Sequence, residues 1–130
     1  MAVDINKVKQ RMNKSKFSPD ILFSIHAQAK ILHLQTASYA EHNAFGGFYD
    51  DLDDLIDQFI ECWQGKYGRV TVGGSLNVQN YEAGESMSFA DNVLAYLNSL
   101  QNDCPDSELK NILDEMKALA DRLKYLLTLK

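Results

Sequence analysis

The feature that most constrains this 130-residue chain is a long amphipathic segment over residues 39–64, whose spacing predicts a single helix. It begins with Ser38-Tyr39-Ala40-Glu41, the S-x-x-E form of a capping box, in which serine and glutamate satisfy each other's main-chain donors. At about 100° per residue, the apolar side chains cover about half the circumference. They are Phe45, Phe48, Tyr49, Leu52, Leu55, Ile56, Phe59, Ile60 and Trp63. A helix of this kind must bury that half against other elements.

The other half of the same helix is acidic. Seven carboxylates and no lysine or arginine lie between Glu41 and Glu61. Ordinary ion pairs between residues four positions apart therefore cannot neutralise this helix. An acidic arc is usually a solvated face, and metal binding is the alternative interpretation.

Three further helices are predicted from apolar residues at helical spacing. Ser18 can cap a first helix over residues 19–36, whose first position holds a proline, the residue favoured there. Ser88 is a suitable cap for a third helix over residues 89–101, and a fourth runs over residues 106–128. The chain is therefore predicted to be all-α.

Residues 65–87 separate the two helix pairs with a glycine-rich sequence that breaks the helical period. This segment forms either a small hairpin turning at Gly73-Gly74 or an irregular strap. Connections in helix bundles are usually short, and a long one can run the full length of a helix. The prediction is one four-helix-bundle domain over residues 18–130, with the long crossover between helices 2 and 3 that a ferritin-like topology requires.

Charge and cysteine content narrow the class of protein. The net charge is −5, which argues against broad nucleic-acid binding, but residues 1–16 alone carry +4. A basic N-terminal arm over residues 1–17 is thus predicted, either as a solvated tail or as a contact for nucleic acid or another acidic surface. Cys62 and Cys104 form no C-x-x-C pattern, so reduced thiols are expected. With no signal peptide and no apolar stretch of membrane-spanning length, a cytoplasmic protein is predicted.

One set of residues has the types and spacing of a metal site. His33 lies near the end of the first helix and His42 near the start of the second, followed by Asp57 and Glu61. The spacing resembles the Dps family, the mini-ferritins that oxidise and store iron, over roughly residues 20–64. In that family a histidine on helix one, a histidine early in helix two and a D-x-x-x-E pair belong to the iron-oxidation site.

The resemblance implies a ferritin-like fold, a homo-oligomer, and iron bound by His33, His42, Asp57 and Glu61 with ferroxidase activity. Fifteen residues of helix span about 22 Å, so His42 and Asp57 of one chain cannot share an ion. The site is therefore expected between two chains, with antiparallel second helices. Zinc and manganese suit the same ligands, so the metal stays open.

The chain departs from the Dps pattern at two positions and in one loop. Gly46 stands where the family has an aspartate, Leu34 stands where a tryptophan is usual, and the loop between the histidines is shorter. Asp50 is an alternative ligand. The chain is also similar to small ferritin-like proteins of tailed phages, which gives a rival hypothesis: a catalytically silent, oligomeric binding or structural module.

Overall fold

The computed structural model describes residues 17–129 and contains four helices there. They are α1 (Asp20–Gln35), α2 (Tyr39–Tyr67), α3 (Ser86–Asp103) and α4 (Ser107–Leu127). No strand occurs within residues 17–129. The prediction of an all-α fold with four helices is confirmed.

The N-terminal caps of α2 and α3 differ from the predicted ones. Ser38 Oγ accepts a hydrogen bond from the main-chain N of Glu41 at 3.2 Å, which is half of the predicted capping box. The other half is absent, because the main-chain N of Ser38 donates to Thr36 Oγ1 instead. The predicted cap at Ser88 is wrong: α3 begins at Ser86, three residues before the predicted start, with Glu85 at the N-cap position.

Helix α2 lies at the centre of the packing and contacts both α1 and α4, while α3 packs against α4. Its inward face carries the aromatic core that the sequence predicts, and α1, α3 and α4 contribute aliphatic side chains around it. The largest buried side chains include Phe45, Phe59, Leu22, Leu52, Leu97, Leu109, Leu113, Met116 and Leu123. Helices α1 and α3 approach each other less closely, and a groove of about 400 Å³ lies between them.

The link between α2 and α3 is an extended strap over residues 68–85 that runs along α1. The main-chain N of Gly73 donates to Asp20 at the start of α1 (2.6 Å), and that of Tyr81 donates to Gln35 at its end (2.7 Å). The strap therefore follows α1 from its first turn to its last, in the same direction. The hairpin alternative is wrong, because the donors of this segment pair with helix side chains and not with a second strand.

The basic arm lies almost wholly outside the described residues. Phe17, the last residue assigned to it, belongs to the helical body: its ring lies 4.8 Å from Trp63 and 5.2 Å from Phe59, measured between centroids. Both cysteines are free, Cys62 exposed and Cys104 buried, and burial raises the pKa of the Cys104 thiol. Within residues 17–129, no helix has the length and apolar character needed to cross a bilayer.

Candidate functional site

The short turn between α1 and α2 brings His33 and His42 into direct contact. Their rings stack with centroids 3.8 Å apart and planes 18° from parallel. Nδ1 of His33 lies 2.6 Å from the carbonyl oxygen of His42, and Nδ1 of His42 lies 2.8 Å from the carbonyl oxygen of His33. We call this arrangement the histidine clasp; it ties the end of α1 to the start of α2.

The clasp fixes which ring nitrogen carries hydrogen. A carbonyl oxygen only accepts, so both Nδ1 atoms must donate. In the neutral form of each ring, Nε2 is then the nitrogen with the free lone pair. Within residues 17–129, neither Nε2 of the clasp has a hydrogen-bond partner. Histidines that bind metals are commonly oriented in this way, with one nitrogen held by a carbonyl or carboxylate and the other free.

The lack of a side chain at Gly46 leaves room for the ring of His33. A Cβ atom built on Gly46 would lie 2.9 Å from Cε1 and 3.0 Å from Nδ1 of His33. These separations are shorter than van der Waals contact, so any side chain at position 46 would displace the His33 ring. The His33 ring fills the space that a side chain at position 46 would take.

Asp57 and Glu61 lie on the outer surface of α2, and both are exposed. One helical turn separates them, so the two carboxylates are neighbours. Neither makes an ion pair within the described residues. No group of three or more His, Cys, Asp or Glu side chains in residues 17–129 is placed to hold a metal ion. One chain therefore brings together His33 and His42, and separately Asp57 and Glu61, but does not unite the two pairs.

His26 lies beside the clasp and is not part of it. Its Nε2 is 3.7 Å from Oδ1 of Asp53, and its ring meets Tyr49 edge-on at 5.6 Å. Tyr49 also meets His33 edge-on at 5.3 Å. Tyr49 thus separates the two histidines of α1.

Glu41 is a residue whose role the sequence did not reveal. Its Oε2 accepts hydrogen bonds from the hydroxyls of Thr36 (3.0 Å), Tyr81 (3.0 Å) and Ser86 (3.2 Å). These hydroxyls come from the end of α1, the end of the strap and the start of α3. The capping pattern gave a local role for this glutamate, whereas its partners at positions 81 and 86 are about 40 residues away in sequence.

A second polar cluster closes the opposite end of α2 against α4. Lys66 Nζ lies 2.6 Å from Glu108 and 3.1 Å from Asp106, and Tyr67 donates its hydroxyl to Asp106 at 2.5 Å. We call these four residues the ionic clasp. Hydrogen bonds to the two carboxylates raise the pKa of Lys66, and its ammonium lowers the pKa of Glu108. Burial, with the hydrogen bond to Asp106, raises the pKa of Tyr67.

These features define a class: an all-helical protein of four helices, with an extended crossover strap, a histidine clasp and an acidic outer strip on its longest helix. Residues 33–127 match a family of unknown function, DUF5856, and the chain belongs to that family. An uncharacterized 14.6 kDa protein from the mobD–ri intergenic region of Enterobacteria phage T4 is 28% identical to it over 109 residues, 84% of each chain. No solved structure matches the chain significantly.

Proposed function

We propose that this protein is a ferritin-like, Dps-like iron-binding protein whose sites are shared between two copies of the chain. The observation that carries the proposal is the orientation of the histidine clasp. Both Nδ1 atoms are held by carbonyl oxygens, which leaves an Nε2 lone pair on each ring to bind a cation. The strap supports the ferritin-like part, since it joins α2 to α3 along the length of α1.

The carboxylate half of the proposed site comes from a second chain. His42 and Asp57 are separated by about 22 Å of helix, so one ion cannot bridge them within a chain. His42, Asp57 and Glu61 nevertheless lie within a sector of about 100° on the outer surface of α2. Two α2 helices packed antiparallel about a two-fold axis would therefore bring the histidine pair of each chain opposite the carboxylate pair of the other.

The negative charge of α2 would make such a dimer depend on a bound cation. Asp50, Asp54, Asp57 and Glu61 share the outer strip of α2 without an ion-pair partner among the described residues. Two such strips brought together would repel each other. A divalent cation at each shared site would offset that repulsion, so dimerisation and metal binding should be coupled.

The ligand types suit ferrous iron, and they also suit manganese and zinc. At an iron site, Asp57 and Glu61 would be negatively charged ligands and the two Nε2 atoms would be uncharged nitrogen ligands. That charge favours the ferric product, so oxidation of bound ferrous iron by dioxygen or peroxide is the proposed activity. The protein would act in the cytoplasm, where ferrous iron is available.

Subunit complementation tests the shared site directly. One variant, His33→Asn/His42→Asn, keeps an amide donor near each Nδ1 position and lacks Nε2. The other, Asp57→Asn/Glu61→Gln, removes only exposed carboxylates. Each alone should lose metal, measured by elemental analysis after loading with ferrous iron under anaerobic conditions. A refolded mixture should regain binding, because each heterodimer contains one intact site.

The matched control is Asp51→Asn/Glu115→Gln, which removes the same charge from exposed positions. Asp51 lies about 120° around α2 from Asp57, so this control should bind metal normally. A mixture that regains no metal, while both variants remain folded, would overturn the shared site. Wild-type protein that takes up no ferrous iron would overturn the metal-binding function as a whole.

A second candidate function is a metal-free oligomeric binding or structural module, and Gly46 favours it. The clasp fills the space of the ligand that the Dps pattern would require, and each ring already bonds to the other residue's carbonyl. The similarity to a phage T4 protein is consistent with a phage-encoded module of this kind. On this hypothesis the purified protein is a metal-free oligomer, and His33→Asn/His42→Asn leaves its mass in solution unchanged.

A further inference from the structure

The strap presents one satisfied edge and one open edge. The main-chain N atoms of Asn77, Gln79 and Tyr81 donate to side chains of α1, at 3.0, 2.7 and 2.7 Å. In an extended chain, the N–H and C=O groups of alternate residues point to opposite edges. The main-chain groups of Leu76, Val78 and Asn80 therefore point away from α1. Within residues 17–129 they make no hydrogen bond.

This open edge lacks charged side chains and prolines, two of the features that usually protect one. Natural edge strands carry charged side chains, prolines or bulges that prevent pairing with another chain. Residues 70–81, VTVGGSLNVQNY, contain no charged residue and no proline. Leu76 and Val78 are 54% and 42% exposed. Gly74, with φ of +94°, interrupts the extended course, so the open edge over residues 75–81 is short and uniform.

We propose that this edge pairs with the same edge of a second copy of the chain, antiparallel and about a two-fold axis. The choice of a second copy rests on charge and on symmetry. The chain carries a net charge of −5, so two copies repel each other over most of their surface, and residues 70–81 form an uncharged stretch. An antiparallel pair of identical edges is self-complementary, which a two-fold dimer requires.

The alternation of donors sets the register. If the two-fold axis passes at Val78, that residue faces Val78 of the partner subunit and Leu76 faces Asn80 of the partner subunit. All three open residues of each chain then form hydrogen-bonded pairs, in which each pair exchanges both N–H···O bonds. Leu76 and Val78 project to the same face of the strap, so their apolar side chains meet across the pair.

Amide hydrogen exchange at single-residue resolution provides the sharpest test. The amides of Asn77, Gln79 and Tyr81 should be protected at every protein concentration, because α1 holds them. The amides of Leu76, Val78 and Asn80 should be protected only at concentrations where the dimer forms, and should exchange rapidly on dilution. The measurement is made with chelator present and in the Asp57→Asn/Glu61→Gln background, so its outcome does not depend on the metal site.

Two substitutions should weaken the dimer by different means. Val78→Pro removes one outward N–H from each chain and leaves the main-chain hydrogen bonds to α1 in place, and Leu76→Lys adds a charge to the edge. Each enters the interface twice, so each should raise the dimer dissociation constant by at least about tenfold in sedimentation velocity. Tyr125→Lys, which adds the same charge at an exposed residue of α4, should leave it unchanged.

Three outcomes would overturn the proposal. The first is a chain that stays monomeric at millimolar concentration without metal. The second is a dimer in which the amides of Leu76, Val78 and Asn80 exchange rapidly, since another surface would then hold it together. The third is protection of these amides that does not change with concentration, which would mean that a segment of the same chain covers the edge. As a control, the amides of Asn77 and Gln79 should stay protected from exchange in Val78→Pro, which would show that the strap still lies against α1.

Discussion

The two ends of α2 are fastened by different physics. At its start, the histidine clasp joins α2 to α1 through stacked rings and two hydrogen bonds from ring nitrogens to carbonyl oxygens. At its end, the ionic clasp joins α2 to α4 through a lysine shared by two carboxylates, one of which also accepts a tyrosine hydroxyl. The charged groups of the ionic clasp pair with one another, whereas neither Nε2 of the histidine clasp has a hydrogen-bond partner within residues 17–129. The proposed metal site therefore uses the first end of α2 and not the second.

The largest expected effect comes from filling the space beside the histidine clasp. Gly46→Ala should destabilise the protein by about 1–3 kcal/mol in chemical denaturation, because the new methyl group displaces the His33 ring. The neighbouring Gly47 provides a matched control, since nothing lies within 4 Å of a Cβ atom there. Gly47→Ala should stabilise by about 0.5–1 kcal/mol through helix propensity alone.

A double-mutant cycle identifies the cause of the Gly46 effect. In a His33→Ala background the ring is gone, so Gly46→Ala should become neutral or stabilising. If the alanine at position 46 costs the same with and without the ring, the close packing described for the clasp does not account for this glycine.

A smaller loss is expected at the ionic clasp. Tyr67→Phe removes the hydroxyl that donates to Asp106 and should destabilise by about 1 kcal/mol. Tyr125→Phe, at an exposed tyrosine, should have almost no effect on the free energy of unfolding.

The Tyr67 hydroxyl also has a signature in alkali. Its pKa is raised in the folded state, so above pH of about 10 the unfolded chain loses this proton first and stability falls as the pH rises. This decline should be shallower in Tyr67→Phe. An identical alkaline slope in both proteins would contradict the buried hydrogen bond.

The smallest effect is expected at Glu108, and it depends on pH. Lys66 lowers the pKa of this carboxyl, so the folded state is favoured wherever Glu108 is ionised. That contribution is present above the ordinary glutamate pKa of about 4.3 and disappears as the pH falls through the lower folded value. Glu108→Gln should therefore be slightly less stable than wild type at pH 7 and equal to it near pH 2. A difference that persists in acid would indicate a packing role for the side chain.

The helices were predictable because their information is local. Apolar spacing and the Ser38 cap place the start of α2 from the sequence alone. Of the predicted inward residues, Tyr49, Leu55 and Ile60 are partly buried and the others are buried. The missed features depend on distant partners. The capping pattern predicts only a local role for Glu41, while its carboxylate accepts hydrogen bonds from hydroxyls at positions 81 and 86. It also predicts a cap at Ser88, although α3 begins at Ser86. The spacing of apolar residues along a helix cannot predict a contact between residues about 40 positions apart.

The candidate site was predictable in part for the same reason. His33 and His42 lie nine residues apart across a tight turn, so their meeting follows from two helix ends. The reciprocal bonding of the clasp does not follow, because it depends on the detailed angle of the turn. The proposed meeting of Asp57 and Glu61 with the histidines requires a second chain. Helix periodicity within one chain cannot predict it, so only the resemblance to the Dps spacing suggests it.

The strap has a consequence for how this family can diversify. Its course is set largely by side chains of α1, because main-chain N atoms of the strap donate hydrogen bonds to oxygens of Asp20, Ser24, Gln28 and Gln35. Main-chain atoms are the same in every residue but proline, so the strap's own outward side chains are not needed to hold it in place. Substitutions can therefore change the outward side chains of the strap while α1 keeps the main chain of the strap in place. The conformation of the strap should therefore depend more on Asp20, Ser24, Gln28 and Gln35 than on its own outward side chains.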